Sequence, residues 1–427
     1  MELKGEYKLT EAGVIPADWN VLTIDDLAIT SSGTTPARAQ ADRYFSKGTI
    51  PWVKTLDLNN GLINETEEAV TETALAETCL QLYPAGCVLV AMYGGYNQIG
   101  RTGLLRISAT VNQALTAIRP DTKRLHAGYL LSVLNFRNDY WRSVASSSRK
   151  DPNITSRDVR DFPIALPPTV TEQQAIAEAL SDADALIESL KQLLTKKRQI
   201  KQGAMQELLT GKRRLHGFEK KPGYKQSDLG LVPKDWDVIP IGQIAQCLIG
   251  LTYSPDDVRS FGTLVLRSSN VQDGCLAFED NVYVDMELPP SVITQEGDIL
   301  ICVRNGSRQL IGKCALINKA AAGSAFGAFM AVLRSKSSAY LFQQFQSSIL
   351  KRQINDGMGA TINQITNKDM AGFKVIWPTL ETEQVAIAAI LSDMDTEIDT
   401  LEIKLTKTRE LKQGMMQELL TGRIRLV

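Results

Sequence analysis

The side chains in this sequence that could do chemistry fall into two groups, and spacing separates them. The first group would be catalytic. His126 and His216 are the whole supply of near-neutral acid–base groups, and no Ser/His/Asp or Cys/His arrangement recurs around them. Six cysteines, Cys79, Cys87, Cys247, Cys275, Cys302 and Cys314, include no C-x-x-C pair and lie far from both histidines, so no metal finger is spelled. Gly306–Cys314 reads GSRQLIGKC, one residue too long for a phosphate-binding loop and with Cys where Ser or Thr would hold magnesium. Asp151-Pro152-Asn153-Ile154 comes near an amino-methyltransferase motif but lacks its second proline and its aromatic residue. The second group is polar and cationic. AGCVLVAMYGG (Ala85 to Gly95) and EGDILICVRNG (Glu296 to Gly306) are apolar strands emptying into Gly-rich loops, which carry Tyr93, Asn97 and Arg101 in the first copy and Arg304, Asn305, Arg308 and Lys313 in the second. Amide, hydroxyl and guanidinium groups on loops behind buried strands suit binding another molecule rather than breaking bonds.

Those loops sit in a frame that the chain states twice. Thr171–Leu215 recurs as Thr382–Leu426 at an offset of 211, with 28 of 45 positions identical. The opening Tyr7–Ala28 recurs as Tyr224–Ala245, where Gly13, Pro16, Asp18 and Trp19 match Gly230, Pro233, Asp235 and Trp236. Each opening reads as a turn followed by a buried Trp that anchors the first strand. Between opening and repeat, each half carries short β-rich segments, a helix-like stretch (Tyr129–Ser143, Tyr340–Ile354), a polar loop, and a closing strand, FPIALPP or FKVIWP. A duplicated enzyme would keep its catalytic side chains in at least one copy. Here the scaffold is kept and the loops diverge, as expected of two halves that recognise different things in the same way.

The repeated block is helical by pattern. After Pro167-Pro168, Thr169-x-x-Glu172 predicts a capping box, which Leu380 removes from the second copy. Apolar residues then recur in steps of four and three, at Ile176, Leu180, Ala183, Ile187, Leu190 and Leu194, and at Ile387, Leu391, Met394, Ile398, Leu401 and Leu405. This heptad seam requires a long helical partner. Beyond it the phase is expected to slip to Ile200, Ala204 and Leu208, and to Leu411, Met415 and Leu419, before Gly211 and Gly422 end the helices. About 40 residues at about 1.5 Å each predict rods of about 60 Å. The simplest pairing is of the two rods with each other, antiparallel and with pseudo-two-fold symmetry; parallel pairing, or pairing with helices of other chains, is the alternative. The fold class is α+β: mixed, β-rich domains over 1–168 and 216–378, and long helices over 169–215 and 379–427.

Composition sets limits on partners. With 47 Lys and Arg against 48 Asp and Glu the net charge is −1, which disfavours an autonomous nucleic-acid binder unless cations gather on one face or a partner shares the charge. The basic residues Lys196, Lys197, Arg198 and Lys201, with Lys212, Arg213 and Arg214, read as a solvated helix face, or else as contacts to a polyanion or a partner. MELKGEYKLT has no apolar leader, no run of 18 apolar residues occurs, and the scattered thiols fit a reducing, cytoplasmic setting.

The order of variable domain, long helix, variable domain, long helix resembles the specificity subunit of type I restriction-modification systems. The cues are TEQ-x-x-IA-x-x-L after LPP or WP at each helix start, QELLTG at each helix end, SGTTP (Ser32 to Pro36) and IPWV (Ile50 to Val53). The second half departs from them, with LTYSP (Leu251 to Pro255) for SGTTP and no IPW. The resemblance implies two target-recognition domains, each reading half of a split double-stranded DNA site, on helices that dock two methyltransferase subunits and admit restriction-translocase subunits. It implies no catalysis in this chain, with S-adenosylmethionine, ATP and magnesium on the partners. Base edges are read by Arg, Asn, Gln, Ser and Thr, while phosphate contacts hold register. The candidates are Thr34, Thr35, Arg38, Lys54, Tyr93, Asn97, Arg101, Arg149 and Lys150 in the first domain, and Tyr253, Arg267, Asn270, Arg304, Asn305, Arg308 and Lys313 in the second. The competing expectations are a duplicated coiled-coil adaptor that holds two copies of a protein partner without reading DNA, and a DNA-modifying enzyme.

Overall fold

The computed structural model describes residues 6–95, 97–145, 153–218, 222–358 and 363–426. Two compact units divide the chain, residues 1–191 with 403–427, and residues 192–402. Each unit therefore combines one β-rich half of the sequence with part of each long helix.

In the first unit a hairpin, Tyr7–Thr10 against Gly13–Pro16, leads to a fully buried Trp19 and the strand Asn20–Thr23. That strand pairs antiparallel with the closing strand Pro163–Leu166, which ties the start of the domain to its end. Between them lies a sheet of β1 (Ala28–Ser32), β2 (Gly61–Ile63), β3 (Val88–Ala91), β4 (Thr102–Leu105) and β5 (Leu115–Pro120), in the order β1-β5-β3-β4-β2. The β4–β2 pairing is parallel and the others are antiparallel. Every residue of β3 is buried. Because side chains alternate across a strand, Val88 and Val90 pack with Trp19, Tyr129, Ile176 and Leu180 on one face, and Leu89 and Ala91 with Val53, Leu105 and Val111 on the other. An uninterrupted apolar run is what a strand between two cores demands.

The second unit repeats the plan. The hairpin Tyr224–Ser227/Gly230–Pro233 precedes a buried Trp236, and Trp236–Pro240 pairs with Lys374–Pro378. Its sheet holds β6 (Gln246–Ile249), β7 (Ile299–Cys302), β8 (Cys314–Leu316) and β9 (Met330–Arg334), in the order β6-β9-β7-β8, all antiparallel. Again the central strand is shared: Ile299 and Ile301 face one core, Leu300 and Cys302 the other.

Helices pack on one side of each sheet, among them α1 (Ala127–Phe136), α2 (Val170–Leu208, 39 residues), α3 (Ser338–Gln346) and α4 (Glu381–Leu420, 40 residues). Gly211 and Gly422 follow α2 and α4 with the same φ of +69°, a left-handed conformation that ends a helix at low cost only for glycine. Within each unit α2 and α4 run antiparallel. In the second unit Lys201 meets Asp395 while Arg198 meets Glu402 at 2.6 Å, so numbers rise on one helix as they fall on the other; in the first, Lys412 meets Asp184 at 2.6 Å. Three cations of the basic run beyond Thr195 are thus paired with carboxylates of the neighbouring helix, Lys197 joining Glu397 at 2.6 Å.

The seam differs from expectation in its second half. Ile176, Leu180, Ile187, Leu190 and Leu194 are buried, as are Ile387, Leu391, Ile398 and Leu405, while Ala183, Met394 and Leu401 are half-buried. No phase slip follows. Ile200 and Leu411 are 47% and 64% exposed, and the stepping by threes and fours is kept by buried Lys201 and Thr408 on the way to Leu208 and Leu419. A lysine can hold a seam position because its methylene stem packs while its ammonium reaches a partner, here Asp395 and Gln346. The capping box is also only half formed. Thr169 Oγ1 accepts from the Glu172 N–H at 3.2 Å, but the Glu172 carboxylate turns away to Arg425.

Candidate nucleic-acid interface

β3 and β7 end at equivalent points of their units. Past β3 the Met92 N–H donates to the Ala114 carbonyl at 2.8 Å and the Ile154 N–H to the Met92 carbonyl at 3.1 Å. Past β7 the Val303 N–H donates to the Phe329 carbonyl at 3.0 Å and the Ile365 N–H to the Val303 carbonyl at 2.8 Å. The same bonds thus hold the next residue, Tyr93 in one unit and Arg304 in the other, and both are exposed. Beside each runs the loop after the edge strand. A Cβ at Gly33 would strike the backbone of Val111 and Asn112, and one at Gly250 the backbone of Phe326 and Gly327, so both turns require glycine. The two loops, SGTTP and LTYSP, are thereby held at matching places despite their different letters.

In the first unit most candidate side chains already have partners. Thr34 donates weakly to the Cys79 carbonyl at 3.4 Å, and Thr35 donates to Gln113. Arg38 pairs with Glu68 at 2.8 Å and lies over Phe45 and Trp52, 4.2 and 5.0 Å from the ring centroids. Lys54 reaches Glu67 and Glu68, each at 2.8 Å. Hydrogen bonds to these carboxylates raise the Lys54 pKa, and those from Arg38 and then Lys54 hold the Glu68 carboxyl below its usual range. Arg101 Nε donates to the Asn97 carbonyl at 3.1 Å. Tyr93 is 44% exposed. Arg149 and Lys150 lie outside the described residues.

In the second unit Asn270 is not free to read a base. It is fully buried: its Oδ1 accepts from the Arg267 N–H at 2.9 Å and its amide donates to the Ala277 carbonyl at 2.9 Å, which locks a turn. Lys54 and Asp57 build the matching turn in the first unit, so a one-turn helix set by these residue types escaped the sequence reading. Arg267 pairs with Asp280 at 2.9 Å, Lys313 donates to the Val271 carbonyl at 2.8 Å, and Arg308 donates to the Asn355 carbonyl at 2.9 Å. Asn305 bridges Ser268 and the Ser307 N–H, both at 3.0 Å. Tyr253 is half-buried. Arg304 lies over the ring of Phe329, 5.1 Å from its centroid. The near-miss phosphate loop contains a single turn, Arg308–Leu310, and leads into strand β8, where a phosphate-binding loop would lead into a long helix whose N-terminus receives the phosphate.

Two features went unread in the sequence. One is Phe329, 55% exposed in a Gly-containing turn with no motif to announce it. The other is a pair of clamps. Arg214, just past α2, bonds Asp235 at 2.8 Å and Glu383 at 2.8 Å and lies 5.1 Å over Trp236, whose Nε1 donates to Glu383 at 3.0 Å. Arg425, just past α4, bonds Asp18 at 3.0 Å and Glu172, and lies 5.7 Å over Trp19. All eight residues are identical between the repeats, and that identity was the available signal.

The geometry defines a duplicated scaffold that presents two unlike polar surfaces on like strand ends. Comparison with known proteins places it further: the family described as the type I restriction modification DNA specificity domain matches residues 16–200 and 233–412, and the chain belongs to that family. It is 27% identical over 440 residues to a putative type I restriction enzyme MjaX specificity subunit of Methanocaldococcus jannaschii, covering 98% of this chain and 97% of that one. It is 23% identical over 318 residues to the EcoKI specificity subunit of Escherichia coli, covering 72% of this chain and 66% of the other. In fold it matches the S subunit of a type I restriction-modification system from M. genitalium, with a TM-score of 0.62, 16% identity and 98% of each chain covered. Among the described residues, no helix is long and apolar enough to cross a membrane, and no group of His, Cys, Asp and Glu is placed to hold a metal.

Proposed function

We propose that this chain is the DNA specificity subunit of a type I restriction-modification complex, with residues 1–168 and 216–378 each reading one half of a bipartite double-stranded target. The observation that carries the reading is the repeated strand-end frame with different side chains in it. Identical backbone bonds present Tyr93 in one unit and Arg304 in the other, which is how one scaffold would read two unlike half-sites. Family membership supplies the class of target. The helices serve as spacer and as docking surface for two methyltransferase subunits, which restriction-translocase subunits join. Leu186, Ile403 and Leu411 in the first unit, and Leu193, Ile200 and Val385 in the second, are apolar helix residues left exposed, as a docking face for partner helices requires. Catalysis resides in the partners, which carry S-adenosylmethionine, ATP and magnesium, in the cytoplasm.

Exchange of residues 29–150 for those of another such subunit tests the assignment. Mapping of methylated positions should show one half-site replaced and the other intact; a change in both would refute independent reading. Insertion of four residues in each long helix tests the spacer role, because about 6 Å of added helix corresponds to about two base pairs. An unchanged spacer would refute it. The pure chain, incubated with labelled S-adenosylmethionine and DNA, should transfer no label.

A further inference from the structure

Every other described cationic candidate in the second unit is engaged. Arg267 is held by Asp280, Lys313 by the Val271 carbonyl and Arg308 by the Asn355 carbonyl, while the Asn305 amide is spent between Ser268 and Ser307. Arg304 differs from all of them. Its guanidinium has neither a carboxylate nor a carbonyl acceptor among the described residues and rests on the exposed ring of Phe329. Its backbone, by contrast, is fixed from several sides. The Arg304 N–H donates to the Phe329 carbonyl at 3.2 Å, the Arg304 carbonyl accepts from Cys302, and a bridge joins Arg304 to Gln364. A cation held over an aromatic face is attracted to it without using any of its N–H donors. A fixed backbone, a planar fork held near a ring and unspent donors suit a bidentate contact to guanine O6 and N7 in the major groove. The equivalent position of the first unit holds Tyr93, with Ala114 in place of Phe329, so it offers one hydroxyl and no fork.

We infer that Arg304 is the guanine-reading residue of the second recognition domain and Phe329 its positioning residue, so that the two half-sites differ at the base pair that this strand end meets. The inference rests on the DNA-specificity reading above. It is tested with the full chain assembled with its methyltransferase partners, by selection from duplexes randomised in both half-sites and by mapping of methylated positions. In Arg304→Lys and Arg304→Gln, discrimination at one G·C position of one half-site should fall about ten- to a hundred-fold, with the other half-site unchanged. Phe329→Ala should lower discrimination at that same position alone, and Phe329→Tyr, which keeps the ring, should restore it. Tyr93→Phe should leave that position untouched.

A uniform loss of affinity for all sequences, with a salt dependence shallower by about one counterion, would make Arg304 a phosphate contact and overturn the inference. Unchanged selectivity in the Arg304 variants would overturn it equally. Failure of the wild-type complex to select any sequence would instead overturn the DNA-specificity reading beneath it. The Lys variant keeps the charge, and unchanged selection at the first half-site shows that its complex has assembled.

Discussion

Removal of the Arg214 side chain should destabilise the second unit far more than removal of Arg425 destabilises the first, although the two residues are repeats of each other. Arg214 is 8% exposed, and its two carboxylate partners, Glu383 and Asp235, are 1% and 10% exposed. In Arg214→Ala the Glu383 carboxylate would stay buried with the Trp236 N–H donating to it, and Asp235 would lose its contact with Arg214. Breaking a buried pair in this way costs about 3–5 kcal/mol. Arg425 is 34% exposed and one of its partners, Asp18, is 53% exposed, so water takes up part of the loss. Half of the Arg214 cost or less is expected, about 1–2 kcal/mol after the discount for screening. Segment-resolved hydrogen exchange across a urea series separates the units: peptides over 205–215, 230–240 and 381–390 report the first substitution, and those over 13–22, 170–178 and 416–426 the second. Arg214→Lys should recover less than half of the loss, because an ammonium cannot bridge two carboxylates in a fixed plane. A cost below about 1 kcal/mol for Arg214→Ala, or equal costs at the two sites, would refute the argument from burial.

Three further outcomes are expected from the packing. Ile200→Ser and Leu411→Ser should each change the stability of the isolated chain by less than about 0.5 kcal/mol, whereas Leu208→Ala should cost about 2–5 kcal/mol; urea titrations compare them directly. Gly250→Ala drives a methyl group into the backbone of Phe326 and Gly327, so it should blur selection at the second half-site, and Gly33→Ala should do so at the first. The Asp369 carboxyl is held below its usual range by hydrogen bonds from the Thr366 side chain and backbone at the start of a short helix. Its contribution is therefore complete above the unfolded carboxylate pKa and is lost as pH falls through the lowered folded value. The stability difference between wild type and Thr366→Ala, about 1 kcal/mol near neutrality, should narrow below about pH 4, as acid titration of the folded chain will show.

How far the sequence could be read depended on what kind of letter carried the structure. Central strands such as Val88–Ala91 and Ile299–Cys302 are apolar without a break because they separate two cores, and the long helices repeat their signature letter for letter. Where polar residues did structural work, pattern failed. The second half of the helix seam rests on Lys201 and Thr408, so a search for apolar letters moved to Ile200 and Leu411 and inferred a slip that is absent. Glu172 has the spacing of a helix cap but is taken by Arg425 from the other end of the chain, a pairing that local sequence cannot show. The loop candidates share one limitation. Residue type says that a side chain can donate a hydrogen bond, and only the fold says that Asn270, Lys54 and Arg308 have already done so.

The two clamps also bear on how such a protein could arise. Arg214 comes from the first repeat, while its partners Asp235, Trp236 and Glu383 come from the second; Arg425 comes from the second repeat and Asp18, Trp19 and Glu172 from the first. Neither repeat can close a clamp with its own residues. Two separate copies of a single-repeat polypeptide could close both by exchange, each supplying the arginine the other lacks. The joined chain then reads as a fused descendant of a symmetric pair, in which fusion freed each recognition surface to change without the other.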